Sequence, residues 1–152
     1  MSASDVRVRR PAEFEVLIQQ LKDEAGFPTM RDVLLFAAGV GLSTNRRAPF
    51  ERSGELIRYE TVTADVFGDA FIAMLAAVTC EGDPEVLDGA RITERVLIFE
   101  EYANGGLEYI QEQANVRRQP HEVILRALVT EALTGAGSVA PASVEELLKA
   151  LQ

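Results

Sequence analysis

The stretch from Thr29 to Leu42, TMRDVLLFAAGVGL, constrains the fold more than any other part of the chain. Thr29 predicts a helix N-terminus, because its side-chain oxygen can accept a hydrogen bond from a backbone N–H in the first turn, and Asp32 completes a shortened capping box. Apolar side chains then cover most of the helical circumference rather than one stripe. We therefore expect this helix to be buried on several sides, at the centre of the core.

The residues before this helix predict a strand and a first helix. Val6–Arg10 alternates apolar and basic side chains and is followed by Pro11, which is typical of a short edge strand. The next segment has apolar residues three and four positions apart and ends at Gly26, which indicates an amphipathic helix. Those apolar residues are Phe14, Leu17, Ile18, Leu21 and Ala25.

The middle of the chain predicts a loop and then a second strand. Residues 43–54 are polar and contain Pro49 and Gly54, which favours a loop, and the segment 55–62, ELIRYETV, has strand character. This second strand could pair with the N-terminal strand or with a second copy of it.

The remaining sequence predicts further helices. A long one covers about 64–80 and has an apolar stripe, and a short turn of helix begins at Asp83-Pro84. Another helix should end at the Asn104-Gly105-Gly106 break, followed by helices at about 107–115 and from Pro120 to Gly135. A linker over 135–142 leads to a last helix over 143–151, which Ser143 and Glu146 would cap. The stripe of the long helix consists of Phe67, Phe71, Met74, Leu75 and Val78.

These patterns predict a mainly α fold. We expect one compact domain over residues 1–152, a bundle of about six or seven helices with a small β-element made from the N-terminal strand and residues 55–62.

Charge and composition limit the partners and the compartment that we expect for the chain. Residues 1–60 contain nine Lys/Arg and nine Asp/Glu, whereas residues 61–152 contain six against fifteen, so the net charge of −9 arises entirely from the second part. Such a chain disfavours nonspecific binding of polyanions but can still have a locally basic N-terminal face. The absence of a secretory signal or a long apolar run predicts a cytoplasmic protein without membrane contact.

No pattern indicates catalysis, a metal or a cofactor. Cys80 and His121 are the only cysteine and histidine, too few for a zinc site, and His121 lacks a neighbouring nucleophile motif. Glu100 and Glu101 point about 100° apart on a helix, so we expect solvated charges rather than a metal site. The chain is predicted not to be an enzyme, and a small enzyme that uses His121 remains a competing hypothesis.

Residues 5–42 resemble the ribbon-helix-helix DNA-binding pattern: a strand with alternating basic residues, a helix ended by glycine, and a helix capped by threonine. In that family two strands pair across a dimer and enter the major groove, and the second helix binds a phosphate. The resemblance implies base contacts by Arg7 and Arg9. It also implies a phosphate at Thr29, Met30 and Arg31. The acidic charge and the hundred or so further residues depart from that family.

A second resemblance covers nearly the whole chain. The segments RRPAEFEVLIQQLKDE, TMRDVLLFAAGVGL, RRAPFERSGELIRYE and IFEEYANGGLEYI, followed by SVEELL, resemble the DNA phosphorothioation-associated protein 4 (Dnd system-associated protein 4) family. Such proteins are encoded beside the machinery that replaces a phosphate oxygen of DNA with sulfur, and beside its restriction functions. The resemblance implies an accessory role in modification-dependent phage defence.

We therefore expect a non-enzymatic accessory protein that contacts other components of a phosphorothioation-linked modification and restriction system and could also contact DNA. A ribbon-helix-helix transcriptional regulator, acting as a homodimer, is the alternative. Arginine suits phosphate because its planar guanidinium donates two parallel hydrogen bonds. The candidate contact residues are Arg7, Arg9, Arg10, Thr29, Arg31, Arg46, Arg47 and Arg52. The hypothesis requires that they cluster, and above all that Arg46 and Arg47 fold back beside Arg7 and Arg9.

Overall fold

The computed structural model of the chain describes residues 5–135, where α-helices surround a buried central helix and one small antiparallel sheet closes the N-terminal side. The elements are β1 (Arg7–Val8), α1 (Glu15–Glu24), α2 (Met30–Ser43), β2 (Ile57–Arg58), α3 (Tyr59–Val62), α4 (Val66–Thr79), α5 (Ile92–Arg117) and α6 (His121–Gly135). Single 3-10 turns lie at Ala12–Phe14, Pro84–Leu87 and Gly89–Arg91. The predicted mainly α fold class is confirmed. The helix predicted over 143–151 lies outside the described residues, as does the linker beyond Gly135.

Helix α2 is the central helix, as the sequence predicts. The Asp32 backbone N–H donates to the Thr29 hydroxyl oxygen over 3.3 Å, and that hydroxyl donates to the Asp32 carboxylate over 2.7 Å. These bonds satisfy part of the free N-terminus of the helix. Buried residues lie around much of its circumference, namely Val33, Leu34, Leu35, Ala37, Ala38 and Gly41.

Of the two pairings that the sequence left open for the second strand, the structure shows the one with the N-terminal strand of the same chain. Arg7 is opposite Arg58 and Val8 is opposite Ile57 in an antiparallel register, but the second strand is shorter than predicted because the chain turns into α3 at Tyr59. The reason is burial: Tyr59 and Val62 both face the core. A helical turn places them on one side, whereas a strand would point residues an odd number apart to opposite faces.

The pairing of β1 differs from that of a ribbon-helix-helix strand. One edge of β1 is used by β2 of the same chain, and the Arg9 backbone N–H beyond it donates to a carboxylate oxygen of Glu100 on α5. Val6 and Val8 are buried in the domain core. The resemblance of residues 5–42 to that family is therefore limited to the order of the elements.

The predicted helix break at Asn104-Gly105-Gly106 is wrong. Helix α5 runs through these residues, is 26 residues long and ends at Arg117. The next residue, Arg118, adopts a left-handed conformation (φ 52°). Two interior glycines each cost a helix up to about 1 kcal/mol relative to alanine. Packing offsets this cost, because buried residues recur along α5 from Ile92 to Ile110 and are continuous from Ile98 to Leu107.

The glycines are explained by the contact between α2 and α5. A Cβ atom on Gly106 would overlap the carbonyl oxygen of Ala37 in α2, and one on Gly41 would overlap the carbonyl oxygen of Tyr102 in α5. A Cβ atom on Gly105 would likewise overlap the carbonyl oxygen of Arg46 in the following loop. The backbones of α2 and α5 therefore touch directly, and this close approach needs a glycine on each helix.

Gly106→Ala is expected to destabilise the protein by at least about 2 kcal/mol, although alanine is the better helix former. The added methyl group meets backbone atoms, which cannot move aside as a flexible side chain can. Urea denaturation followed by circular dichroism measures the change in the free energy of unfolding.

Gly39→Ala in α2 is the matched control. Its Cβ atom would make only an ordinary contact, 3.8 Å from the Phe71 ring, so the substitution should stabilise the protein by about 0.5–1 kcal/mol through helix propensity. Equal effects of the two substitutions would contradict a specific backbone contact at Gly106.

Candidate functional site

The structure places Arg9, Arg46 and Arg47, three of the predicted arginines, against acidic side chains of α5. Arg9 forms the most buried of these pairs: its Nε and Nη2 atoms each lie 3.0 Å from Glu100 Oε1, and its backbone N–H donates to Glu100 Oε2 over 2.5 Å. Its guanidinium also lies over the ring of Phe50, 4.4 Å from the centroid. Glu100 is only 4% exposed. The carboxylate expected to be solvated is thus buried and paired.

The loop after α2 lies along the neighbouring turns of α5. Arg47 Nε donates to Glu101 Oε1 over 2.8 Å, the Ala48 N–H donates to the Glu101 carbonyl over 3.0 Å, and Asn104 Nδ2 donates to the Ala48 carbonyl over 2.9 Å. Gly105 leaves space for this loop. The Asn104-Gly105-Gly106 segment is therefore the part of α5 against which the loop packs, rather than the end of a helix.

Arg46 lies further along the same helix. It makes a bidentate pair with Glu112, with N–O distances of 2.9 and 2.8 Å, and contacts Glu108 at 3.3 Å and the ring of Tyr109 at 5.1 Å. Eleven residues of helix separate Glu101 from Glu112, which corresponds to about 16 Å. Arg9 and Arg47 therefore bind glutamates that are adjacent in the sequence, whereas Arg46 binds about three turns further along α5.

The other candidates lie at different places. Arg10 pairs with Glu15 and Glu55 at 3.0 and 3.3 Å. Arg31 lies at the other end of α2, where it donates to the Val62 carbonyl over 2.9 Å and pairs with Asp65 at 2.5 Å.

Three predicted contact residues remain to be placed. Thr29 is occupied as the helix cap, while Arg7 and Arg52 are exposed. Arg58 is exposed opposite Arg7 and was missed as a candidate; the strand pairing that the sequence suggested could have identified it. The eight predicted residues thus do not form one patch.

Burial and charge shift several pKa values in this network. Burial raises the pKa of Glu100, and the hydrogen bonds from Arg9 limit that rise. The hydrogen bond from Arg46 holds the pKa of Glu112 below its usual value. The pKa of Asp65 is lowered first by the Gly68 backbone N–H, which it caps, and then by Arg31.

The outer face of α4 is the most apolar exposed feature in the described range. The predicted stripe of this helix is largely on the solvent side: Phe67 is 62% exposed, Met74 41% and Val78 55%, and Val66 beside it is 86% exposed. The core-facing residues are instead Gly68, Ile72, Leu75 and Ala76. Leu75 is the member of the predicted stripe that is fully buried. Contiguous exposed apolar surface on a soluble domain marks an interaction site more often than chance.

A groove of about 900 Å³ lies beside this face, between α2, α4 and α6. Its floor is one side of α2, including Phe36 and Val40, and its walls are Phe67 and Phe71 of α4 and Leu133 of α6. Arg31, Asp65 and Glu131 are charged residues among its lining. The groove is thus an open, mainly apolar trough with charged groups in its lining.

Comparison with known protein families decides the classification. The family model described as DNA sulphur modification system-associated protein 4 matches residues 7–142. The chain belongs to this family. The resemblance found from the sequence is thereby confirmed, and it associates the chain with a DNA sulphur-modification system. No curated protein and no solved structure matches the chain.

This family member has no cluster of metal-ligating side chains within residues 5–135. No group of three or more His, Cys, Asp or Glu side chains there is arranged to hold a metal ion. His121 Nδ1 lies 2.6 Å from a carboxylate oxygen of Glu24, and Cys80 contacts Glu94 at 3.9 Å. Both residues therefore have structural partners. None of the helices in the described range is long and apolar enough to cross a membrane.

The raised pKa of Glu100 predicts a pH dependence of stability. Because folding raises this pKa, the contribution of Glu100 to stability is complete below its ordinary pKa and is lost as the pH rises through the folded value. The free energy of unfolding of the native chain, relative to that of Glu100→Gln, should therefore fall as the pH is raised above the ordinary glutamate pKa of about 4 and through the higher pKa of the folded state.

Urea denaturation of both proteins across this range measures the difference. Glu112→Gln is the control with the opposite sign, because its lowered pKa makes its contribution appear as the pH rises. A difference for Glu100→Gln that grows with pH would contradict burial as the dominant effect.

Proposed function

We propose that this chain is a non-enzymatic accessory component of a DNA phosphorothioation-linked modification and restriction system in phage defence, and that it acts by binding another protein of that system through the outer face of α4. The family description supports an association with the system. The single observation that carries the protein-binding role is the exposed apolar face formed by Val66, Phe67, Met74 and Val78.

The chemistry of this face indicates the partner surface. Asp69 is the one charged residue in the sequence of α4, so the face has few groups that could bind a polyanion or a highly charged protein surface. An apolar helix face is typically covered by an apolar groove or by the apolar side of another helix. We therefore expect a mainly apolar surface on the partner component.

The arginine network supports the same conclusion. Arg9, Arg10, Arg31, Arg46 and Arg47 are engaged by carboxylates of the same chain. A guanidinium in such a pair must give up its carboxylate before it can bind a phosphate, and that loss opposes binding. Among them, Arg9, Arg46 and Arg47 thus serve first to hold the N-terminal strand region and the loop after α2 on α5.

The protein-binding role is tested by Met74→Asp combined with Val78→Asp in the tagged full-length chain. Both side chains are exposed, so the fold should be retained. Two carboxylates at an apolar interface cost about 3 kcal/mol or more, which is a loss of about a hundredfold or more in affinity. Affinity purification from the native host and mass spectrometry of the recovered system proteins measure the loss.

Val16→Asp combined with Val116→Asp is the matched control, because these side chains are 70% and 77% exposed and lie on α1 and α5. The control should recover the partner at the native level. Undiminished recovery with the α4 variant would contradict this interface.

Direct DNA contact is the second candidate, and the exposed Arg7, Arg52 and Arg58 near the two-stranded sheet favour it. Binding of unmodified and phosphorothioated duplexes, followed by fluorescence anisotropy as salt rises, tests it. Phosphate contact requires affinity that falls with salt and is weakened by Arg52→Ala and Arg58→Ala, whereas Arg126→Ala should have little effect. Binding that is independent of salt would exclude this mode.

A further inference from the structure

We infer that the groove between α2, α4 and α6 binds a basic amphipathic helix of the partner component, with the apolar side of that helix in the groove and its lysine or arginine side chains paired with carboxylates of the lining. The inference rests on the proposed function and names the element of the partner that is bound. Three observations carry it: the continuity of the groove with the outer face of α4, the dimensions of its floor, and the charges of its lining.

The groove and the outer face of α4 form one apolar surface. Phe67 belongs to both, and its ring is stacked on that of Phe71, with the centroids 5.7 Å apart, so the two rings form one wall of the groove. Phe67, Phe71, Met74 and Val78 follow each other at spacings of four, three and four, which places them along one side of α4. A partner that covers Met74 and Val78 therefore has a continuous apolar path into the groove.

The floor of the groove has the length of a short helix. The lining residues of α2 run from Arg31 to Thr44, which corresponds to about 20 Å, or about 13 residues of a helix that lies along them. Gly39 lies near the middle of this floor and presents no side chain there. Small-molecule sites enclose most of their ligand, whereas this groove is open on its outer side and suits a helix that is covered on one face only.

The opposite wall offers further apolar side chains. Val129 and Leu133 of α6 are 43% and 75% exposed in the described range, and Phe36 and Val40 of the floor are half-buried. Large apolar residues at helical spacing on the partner would cover these side chains, as in other complexes in which a helix lies in a groove.

The charges of the lining indicate the sign of the partner helix. Three carboxylates and one guanidinium line the groove, namely Asp32, Asp65, Glu131 and Arg31. Arg31 is shared by Asp32 and Asp65, at 3.0 and 2.5 Å, and both Asp65 and Glu131 remain more than half exposed. Because an ionised carboxylate accepts several hydrogen bonds, these two groups can also bind lysine or arginine at the edges of the partner helix.

The same charges disfavour a second copy of this chain as the occupant. A copy would bring a net charge of −9 to a chain of equal charge, and the two would repel each other. A basic helix is attracted by the acidic chain, which favours both its affinity and its rate of association.

Synthetic peptides test the inference. Labelled peptides of about 15 residues, which match the length of the floor, are tiled across the proteins of the host's sulphur-modification system, and fluorescence anisotropy measures their binding to the full-length chain. We expect binding by a peptide that has apolar residues at helical spacing together with lysine or arginine, and its affinity should fall as salt rises. Absence of such a peptide among those that bind would overturn the inference.

Two matched pairs of variants locate the bound peptide. Val129→Asp should weaken binding about tenfold or more, whereas Val123→Asp, which is equally exposed on α6 but outside the groove lining, should leave it unchanged. Glu131→Lys should weaken binding and Glu122→Lys should not, although both glutamates are exposed and paired with an arginine. Binding that is insensitive to Val129→Asp, or strengthened by Glu131→Lys, would overturn the inference.

Photocrosslinking from position 133 distinguishes the possible occupants. With the crosslinking amino acid in place of Leu133 in the full-length chain, irradiation at saturating peptide should join the peptide to the chain. Crosslinks that form instead to residues 136–152 of the same chain, or to a second copy, would assign the groove to those occupants and overturn the inference.

The variant with Met74→Asp and Val78→Asp separates this inference from the proposed function. Neither residue lines the groove, so this variant should still bind the peptide while it loses the partner. Undiminished recovery of the partner by this variant contradicts the α4 interface, whereas lack of peptide binding by the native chain contradicts the groove alone.

Discussion

The direct backbone contact between α2 and α5 is the constraint on which the rest of the structure depends. Gly41 on one helix and Gly106 on the other remove the side chains that would otherwise keep the two helices apart. Because each glycine faces a carbonyl of the opposite helix, neither position tolerates a Cβ atom without a shift of backbone. The central helix is therefore covered on one side by backbone rather than by side chains, and α1 and α4 contact it elsewhere.

This contact also determines where the charges of the N-terminal part are used. The loop after α2 has to follow α5, and Gly105 gives it the space to do so while Asn104 and Glu101 bind its backbone. Arg46 and Arg47 then meet Glu112 and Glu101. Many of the basic residues in the first part of the chain thus form ion pairs with acidic residues of the same chain. What distinguishes its surface is the apolar face of α4.

Much of the fold could be predicted because local signals and tertiary packing agree. The cap at Thr29, the glycine at position 26 and the apolar periodicity of α1 each specify one local structure, and burial only reinforces it. The Asn104-Gly105-Gly106 segment shows the opposite case. Glycine is used both where helices end and where two backbones approach closely, and the sequence around it does not separate these uses.

The site was harder to predict for two physical reasons. Helix α4, VFGDAFIAMLAAVT, is apolar nearly all round, so periodicity has no polar side from which to identify the solvent, and the predicted apolar stripe includes residues that face the solvent. The pairing of Arg9 with Glu100 joins residues 91 positions apart, and only the tertiary fold brings such residues together. Family resemblance succeeded here because it integrates several segments across the chain.

The most direct test of the account is site-specific photocrosslinking in the native host, with the crosslinking amino acid placed at Val78 on the outer face of α4 and, separately, at Val16 on α1. The account predicts that irradiation joins the chain to a component of the sulphur-modification system from position 78 and not from position 16. Crosslinks to that component from both positions equally, or to duplex DNA alone, would contradict a partner interface on α4.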